Sequence, residues 1–399
     1  MLIPRSCAAV TRPVHVRHSR IMRCSLFAIA LLSLSAASSR PAAAQQQQRY
    51  TLSGSDVEIW NLVGSIALQP STGSQVVVTV SRSGPDASRV QIRQGQLDGH
   101  DALRVVFPAQ DIRYDGRDYD QRGRVEINTT VRVRDDGTFD PDAGERIRIS
   151  THGGDIEARA DCQVLVPQGK QVTVHLAVGA VTAANVDGQI TADVLAADVR
   201  GRQLLGPVRV RSASGDVTLD GARSPVDVET ASGDVTLSGA QDDVMIQTAS
   251  GDIGLRDVRA TRATVRSSSG DLRASGLTLD ALAIGTSSGD VHIERSRIPD
   301  LTAHSSSGDI DVVLAPGLKS ARLSASSGDI TLRVPPATGI ALDASTGSGD
   351  VNVDDSGLAI QVLTHGDHRF VAKIGDGAGR VETSTSSGDV RVVSASGGN

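Results

Sequence analysis

One carboxylate recurs through this chain at near-constant spacing: Asp216, Asp234, Asp252, Asp271, Asp290, Asp309 and Asp329, with Asp350 and Asp389 further on. Each follows Ser-Gly, as in Ser214-Gly215, Ser232-Gly233, Ser250-Gly251, Ser269-Gly270, Ser288-Gly289, Ser307-Gly308 and Ser327-Gly328. A column of acids can hold divalent cations, act as general acids and bases, or tie a backbone corner by accepting N–H groups. Charges stacked at the ~4.8 Å strand spacing repel by roughly 0.9 kcal/mol per neighbour in water, so the column needs compensation. Calcium takes six to eight oxygens, and one carboxylate per repeat is a thin supply. The aspartates are therefore expected to be structural, each accepting backbone N–H bonds within its own corner as in an Asx-turn.

Other residues that could do chemistry are few. Asp115, Asp118 and Asp120, beside Tyr114 and Tyr119, form an acidic-aromatic cluster that is a solvated loop or, alternatively, a cation or sugar contact. These three aspartates are the weak metal candidates. His365 and His368 flank Asp367, but neither H-E-x-x-H nor C-x-x-C occurs, so a surface loop is expected there. Gly375 to Gly379 is glycine-rich without a strand-to-helix pattern, which argues against a phosphate cradle. The many serines are read as corner residues and not as nucleophiles. No catalytic residue is assigned and no cofactor is expected, calcium being the one alternative.

The elements that position these residues follow from periodicity. The Ser-Gly-Asp glycines fall at 215, 233, 251, 270, 289, 308, 328, 349 and 388, spaced by 18 to 21 residues until a final step of 39. That last step reads as two periods with a degenerate copy near Gly366-Asp367. Eroded copies are expected at Ala197-Asp198-Val199, Gly179-Ala180-Val181, Thr151–Ile156 and Asn61–Ile66. Two and four residues after each glycine stand aliphatics such as Val235 and Leu237, with polar residues such as Thr236 between them. Five and seven residues before it stand Val228 and Val226 and their equivalents. This is the period of a half-buried strand. Inward parity resumes two residues past the glycine, so the phase slips at Gly-Asp. The preceding serine is expected to point in, on a hydroxyl ladder, and the aspartate out. A unit of strand, corner, strand cannot bury its own apolar face, and stacking neighbours supplies the core. The fold class is all-β, a single-stranded β-solenoid (β-helix) with coils of about 18–21 residues.

Four segments follow. Residues 1–44 read as a secretory signal peptide, with Met22 as an alternative start, an apolar run from Cys24 to Ala37 and a cleavage site at 42–44. Residues 45–176 read as an irregular β cap with first coils, 177–393 as the regular solenoid, and 394–399 as a frayed tail. Beyond residue 44 the balance is 34 basic against 46 acidic side chains, or about −12, which disfavours nucleic acid. Cys162 alone remains there, so no internal disulfide is expected. No transmembrane segment is read in the mature chain.

The repeated (S/T)-S-G-D-(V/I)-x-(L/V), the opening NLVGSIALQPSTGSQVVVTVSRSG and the closing IGDGAGRVETSTSSGDVRV resemble the bacterial putative-adhesin family, related to autotransporter-head-like and toastrack envelope domains. The resemblance implies an exported β-solenoid and brings no catalytic residues with it. The expected function is a non-catalytic adhesin-like or cell-envelope scaffold, in the periplasm, at the surface or outside the cell. Its expected partner is an envelope protein or a glycan. A polysaccharide-active β-helix enzyme and a calcium-stabilised rod are the alternatives.

Overall fold

A computed structural model describes residues 46–114, 126–139, 142–336, 338–354 and 356–395. The proposed leader with its Met22 start, and Asp115, Asp118, Tyr119 and Asp120, lie outside the described residues. So do residues 396–399.

The described chain from Gln46 onward is an all-β solenoid of strands joined by turns, and 28 of the described strands join in one continuous sheet. In the regular part each coil contributes two strands. Val226–Ser232 lies parallel and in register between Val208–Ser214 and Val244–Ser250, and Val235–Ser238 lies between Val217–Asp220 and Ile253–Arg256. Registers without slip stack like residue on like residue. Val210, Val228, Ile246, Val265 and Ile284 form one fully buried column, and Val217, Val235, Ile253, Leu272 and Val291 another. Burial of such aliphatics stabilises by about 1.5–3 kcal/mol each, which lets a core with very few aromatics hold.

Both ends depart from simple winding. Strand Asp56–Ser71 pairs with Gln171–Ala184, the intervening residues having left to build outer layers. Its far edge is covered over one half by His100–Val106 and over the other by Arg159–Pro167. Antiparallel strands Gln46–Leu52, Val76–Ser83 and Gln91–Leu97 extend that cap. Asp111–Arg113, Asn128–Val133, Glu145–Ser150 and Ile156–Glu157 form a separate four-stranded sheet.

The other end is interleaved. Gly379–Thr385 and Val390–Ser394 pair with Ser320–Ala325 and Ile330–Val334 on one side. On the other side they pair with Ile340–Thr346 and Val351–Val353. The last segment of sequence is thus the penultimate coil in space, and the hairpin Ile360–Gly366/Arg369–Ile374 covers the outermost strand. Covered edges suppress further strand pairing.

Three expectations need correction. The step of 39 residues is a return by one layer: Gly366-Asp367 sits in the capping hairpin and is not a degenerate coil. Thr151–Ile156 is not a coil corner either, because Ile156 pairs within the four-stranded sheet. Ser394 is not frayed, since it closes a strand and the Ala395 N–H donates to the Val334 carbonyl at 2.9 Å. The copies at Asn61–Ile66, Gly179 and Ala197 do fall in register, with Gly64 opposite Gly179 and Gly179 opposite Ala197.

Candidate functional site

The Ser-Gly-Asp corner is built between coils. The backbone N–H of Asp252 donates to Oδ1 of Asp234 at 2.9 Å, and Asp234 donates likewise to Asp216 at 3.0 Å. The same bond repeats from Asp271 to Asp252, Asp290 to Asp271, Asp309 to Asp290 and Asp329 to Asp309. Each carboxylate thus accepts from the next coil, where sequence reasoning placed the bond within its own corner. An in-corner bond and an inter-coil bond use the same residue types, so the spacing alone carries no signal to separate them.

Charge on the ladder is offset in places. Arg273 lies 2.9 Å from Asp271 and 3.6 Å from Asp252, and Arg391 lies 3.3 Å from Asp389 and 3.4 Å from Asp329. Exposed pairs of this kind contribute at most about 1 kcal/mol.

Glycine is demanded by close approach as much as by backbone angle. A Cβ on Gly233, where φ is +121°, would stand 2.2 Å from the Gly215 carbonyl oxygen. Gly289 lacks that φ, yet its Cβ would stand 1.8 Å from the Gly270 oxygen. The serine before glycine does not point in: Ser214, Ser232, Ser250, Ser269, Ser288, Ser307 and Ser327 are all exposed. The buried hydroxyls stand two residues earlier, where Thr230 Oγ1 donates to the Ser232 carbonyl and Ser305 Oγ accepts the Gly308 N–H. The outward phase therefore begins ahead of the glycine and not at Gly-Asp.

The other candidates are scattered. Residues 285–289 spell G-x-S-x-G, the spacing of a nucleophile elbow, but they form a strand-to-strand corner and not the strand-to-helix turn that motif needs. His365 packs edge-on to Phe370, while His368 Nδ1 lies 3.1 Å from the Gly349 carbonyl. Gly375 to Gly379 turns the chain into the penultimate coil, with Asp376 accepting the Ala378 N–H. Tyr114 is buried, and the aspartates that follow it lie outside the described residues. Among the described residues no group of three His, Cys, Asp or Glu is placed to hold a metal ion. Burial, aided by Asp161, pushes the Cys162 thiol up to about 12, which leaves it unreactive.

A second organised surface was missed by the sequence reading. A groove of about 1740 Å³ crosses successive coils and passes under the four-stranded sheet. Its floor is small, with Ala213, Ala231, Ala249 and Ser268 in the position two before each glycine. Along one side runs the column four before the glycine: His175, Asp193, Arg211, Glu229, Gln247 and Arg266. Arg211 lies 4.0 Å from Asp193 and 3.8 Å from Glu229. At the capped end His175 stacks on Trp60 at 3.6 Å between centroids, and Phe139 meets Trp60 edge-on at 5.0 Å. Burial there lowers His175 to about 4, and burial raises Asp193. The signal was present as the outward column of the repeat, but its neighbours from residues 128–150 come from another part of the chain.

Residues 224–393 match a family model described as Toastrack DUF4097. That segment is similar to the toastrack family. The match runs from the Gly233 coil to the interleaved Gly388 coil, while the Asp ladder begins before it, where the Asp216 N–H donates to Asp198 at 3.1 Å. It agrees with the resemblance noted from the repeat. A search of curated proteins finds no match. Among solved structures, a putative cell adhesion protein from Clostridium sporogenes is 10% identical, covering 88% of this chain and 99% of that one, with a TM-score of 0.18. A putative adhesin from Bacteroides fragilis is 12% identical, covering 89% and 98%, with a TM-score of 0.25. Among the described residues no helix is long and apolar enough to cross a membrane.

Proposed function

We propose that this is a non-catalytic, exported, adhesin-like envelope protein that binds its partner along the groove, with the Ser-Gly-Asp ladder serving as structural corner. The observation that carries this reading is the groove itself. It is open, with a small, largely apolar floor and a charged column along one side, and is walled by side chains from consecutive coils, which suits an extended polymer better than a small molecule. The names of the two adhesion proteins and the toastrack match are in keeping with it. Fold alone supplies no activity.

Screening the purified protein on a glycan array, with and without calcium, tests it. Reproducible binding that is lost when Ala231→Trp fills the groove floor is expected. A blank array would remove the adhesin reading and leave an envelope scaffold.

A second reading has one specific observation behind it, because Asp193 and Glu229 are acids outside the repeat motif and both line the groove. Two coil steps, ~9.6 Å, separate their backbones, near the upper limit for inverting glycosidases. The Arg211 guanidinium pairs with both, which occupies the acids that such chemistry would need free. Release of reducing ends or unsaturated products from polysaccharides, abolished by Asp193→Asn or Glu229→Gln, would replace the non-catalytic reading.

A further inference from the structure

We propose that the occupant of the groove is an extended anionic polysaccharide, a polymer of carboxylate-bearing sugars laid across the coils. This rests on the groove being the binding surface, and adds the chemical class of what it binds.

Charge is the first argument. Four arginines line the groove, Arg132, Arg146, Arg211 and Arg266, against only Asp193 and Glu229, in a chain that is net acidic. Arg132 and Arg146 are direct cross-strand partners in the four-stranded sheet, so their side chains leave from the same face. Like charges placed opposite one another destabilise a strand pair. Neither has an ion-pair partner among the described residues, nor does Arg266. Three guanidinium groups without acid partners among the described residues, facing one groove, are an unfilled demand for anions, and guanidinium pairs bidentately with carboxylates.

Spacing is the second argument. Successive coils rise by about 4.8 Å, close to the length of one pyranose in an extended chain, so a polysaccharide could keep step with the columns of the solenoid. An extended peptide advances 3.3–3.4 Å per residue, and its side chains face one way only every second residue, so it falls out of step. The floor of Ala213, Ala231, Ala249 and Ser268 leaves width for a ring. Phe139 offers an apolar face at the capped end.

Isothermal titration of the purified protein with polygalacturonate, neutral dextran and poly-glutamate tests the proposal. Polygalacturonate is expected to bind, with affinity falling roughly tenfold between low and high salt, since exposed charge pairs are screened. Arg132→Ala/Arg146→Ala and Arg266→Ala are each expected to weaken it by about tenfold or more, and Arg256→Ala, outside the groove, to leave it unchanged. Thermal melts confirm that the variants fold. Dextran binding as tightly as polygalacturonate, blocked by Ala231→Trp, would overturn the anionic inference and keep the groove as a binding surface. Poly-glutamate binding equally well would overturn the sugar. Failure of all three polymers, and of a glycan array, would overturn both the inference and the adhesin reading.

Discussion

The carboxylate of Asp329 accepts the backbone N–H of Asp389 at 2.8 Å across 60 residues of sequence, and Asp389 in turn accepts the N–H of Asp350 at 3.0 Å. The ladder therefore passes from 329 to 389 and back to 350. The terminal coil is held by a segment that follows it in the chain.

Removal of that segment is expected to free the end of the solenoid. A chain stopped at residue 378 keeps strand Ile340–Thr346 but loses its parallel neighbour Gly379–Thr385. Residues 340–374 should become rapidly cleavable in limited proteolysis while the coils around Gly233 stay protected. Equal protection of both regions would contradict the interleaved order.

Gly233→Ala is expected to destabilise by about 2–4 kcal/mol in denaturant unfolding, because it adds strain at positive φ and a clash with the coil below. Ala197 occupies the same column with no positive φ, inside the unbroken strand Gln189–Arg202, so alanine is tolerated where the corner is absent. A loss under about 0.5 kcal/mol would show that the coils slide apart easily.

At Asp234 the acceptor matters more than the charge. Asp234→Asn keeps an oxygen for the Asp252 N–H and should change stability by less than about 0.5 kcal/mol, whereas Asp234→Ala should cost about 1 kcal/mol. Calcium or a chelator should move the melting temperature by no more than about 1 °C, since only binding to the folded state stabilises it. A large calcium-dependent rise, lost in Asp234→Asn, would revive the calcium rod.

Acid should weaken the capped end through His175. Its folded value is depressed by burial to about 4, below the ordinary value of 6.5, so the unfolded chain binds more protons between those limits. Stability is complete above about pH 6.5 and declines as pH falls toward 4, by at most about 3 kcal/mol. Asp193, 3.6 Å away and raised by burial, acts in the opposite sense. His175→Gln should flatten the decline, measured as unfolding free energy against pH; an unchanged slope would assign it elsewhere.

Much of the coil was legible in the chain itself. The spacing of Val217, Val235 and Ile253 from their glycines dictates one strand phase per period, because a half-buried strand alternates with period two. Local periodicity also placed Gly64, Gly179 and Ala197 in their columns, far from the well-kept motif. It could not say which coil lies beside which. The repeats around Gly328, Gly349 and Gly388 share the Ser-Gly-Asp corner and the same strand phase, so any order satisfies the pattern, and edge protection at the end of the stack accounts for the order 328, 388, 349. The same holds for the ladder and the groove. Sequence determined that an aspartate stands at each Ser-Gly-Asp corner and that residues such as Arg211 and Arg266 point outward. Tertiary structure decided that each carboxylate reaches the next coil, and that Arg132 and Arg146 arrive over that face. Both are contacts across tens of residues, for which no local pattern exists.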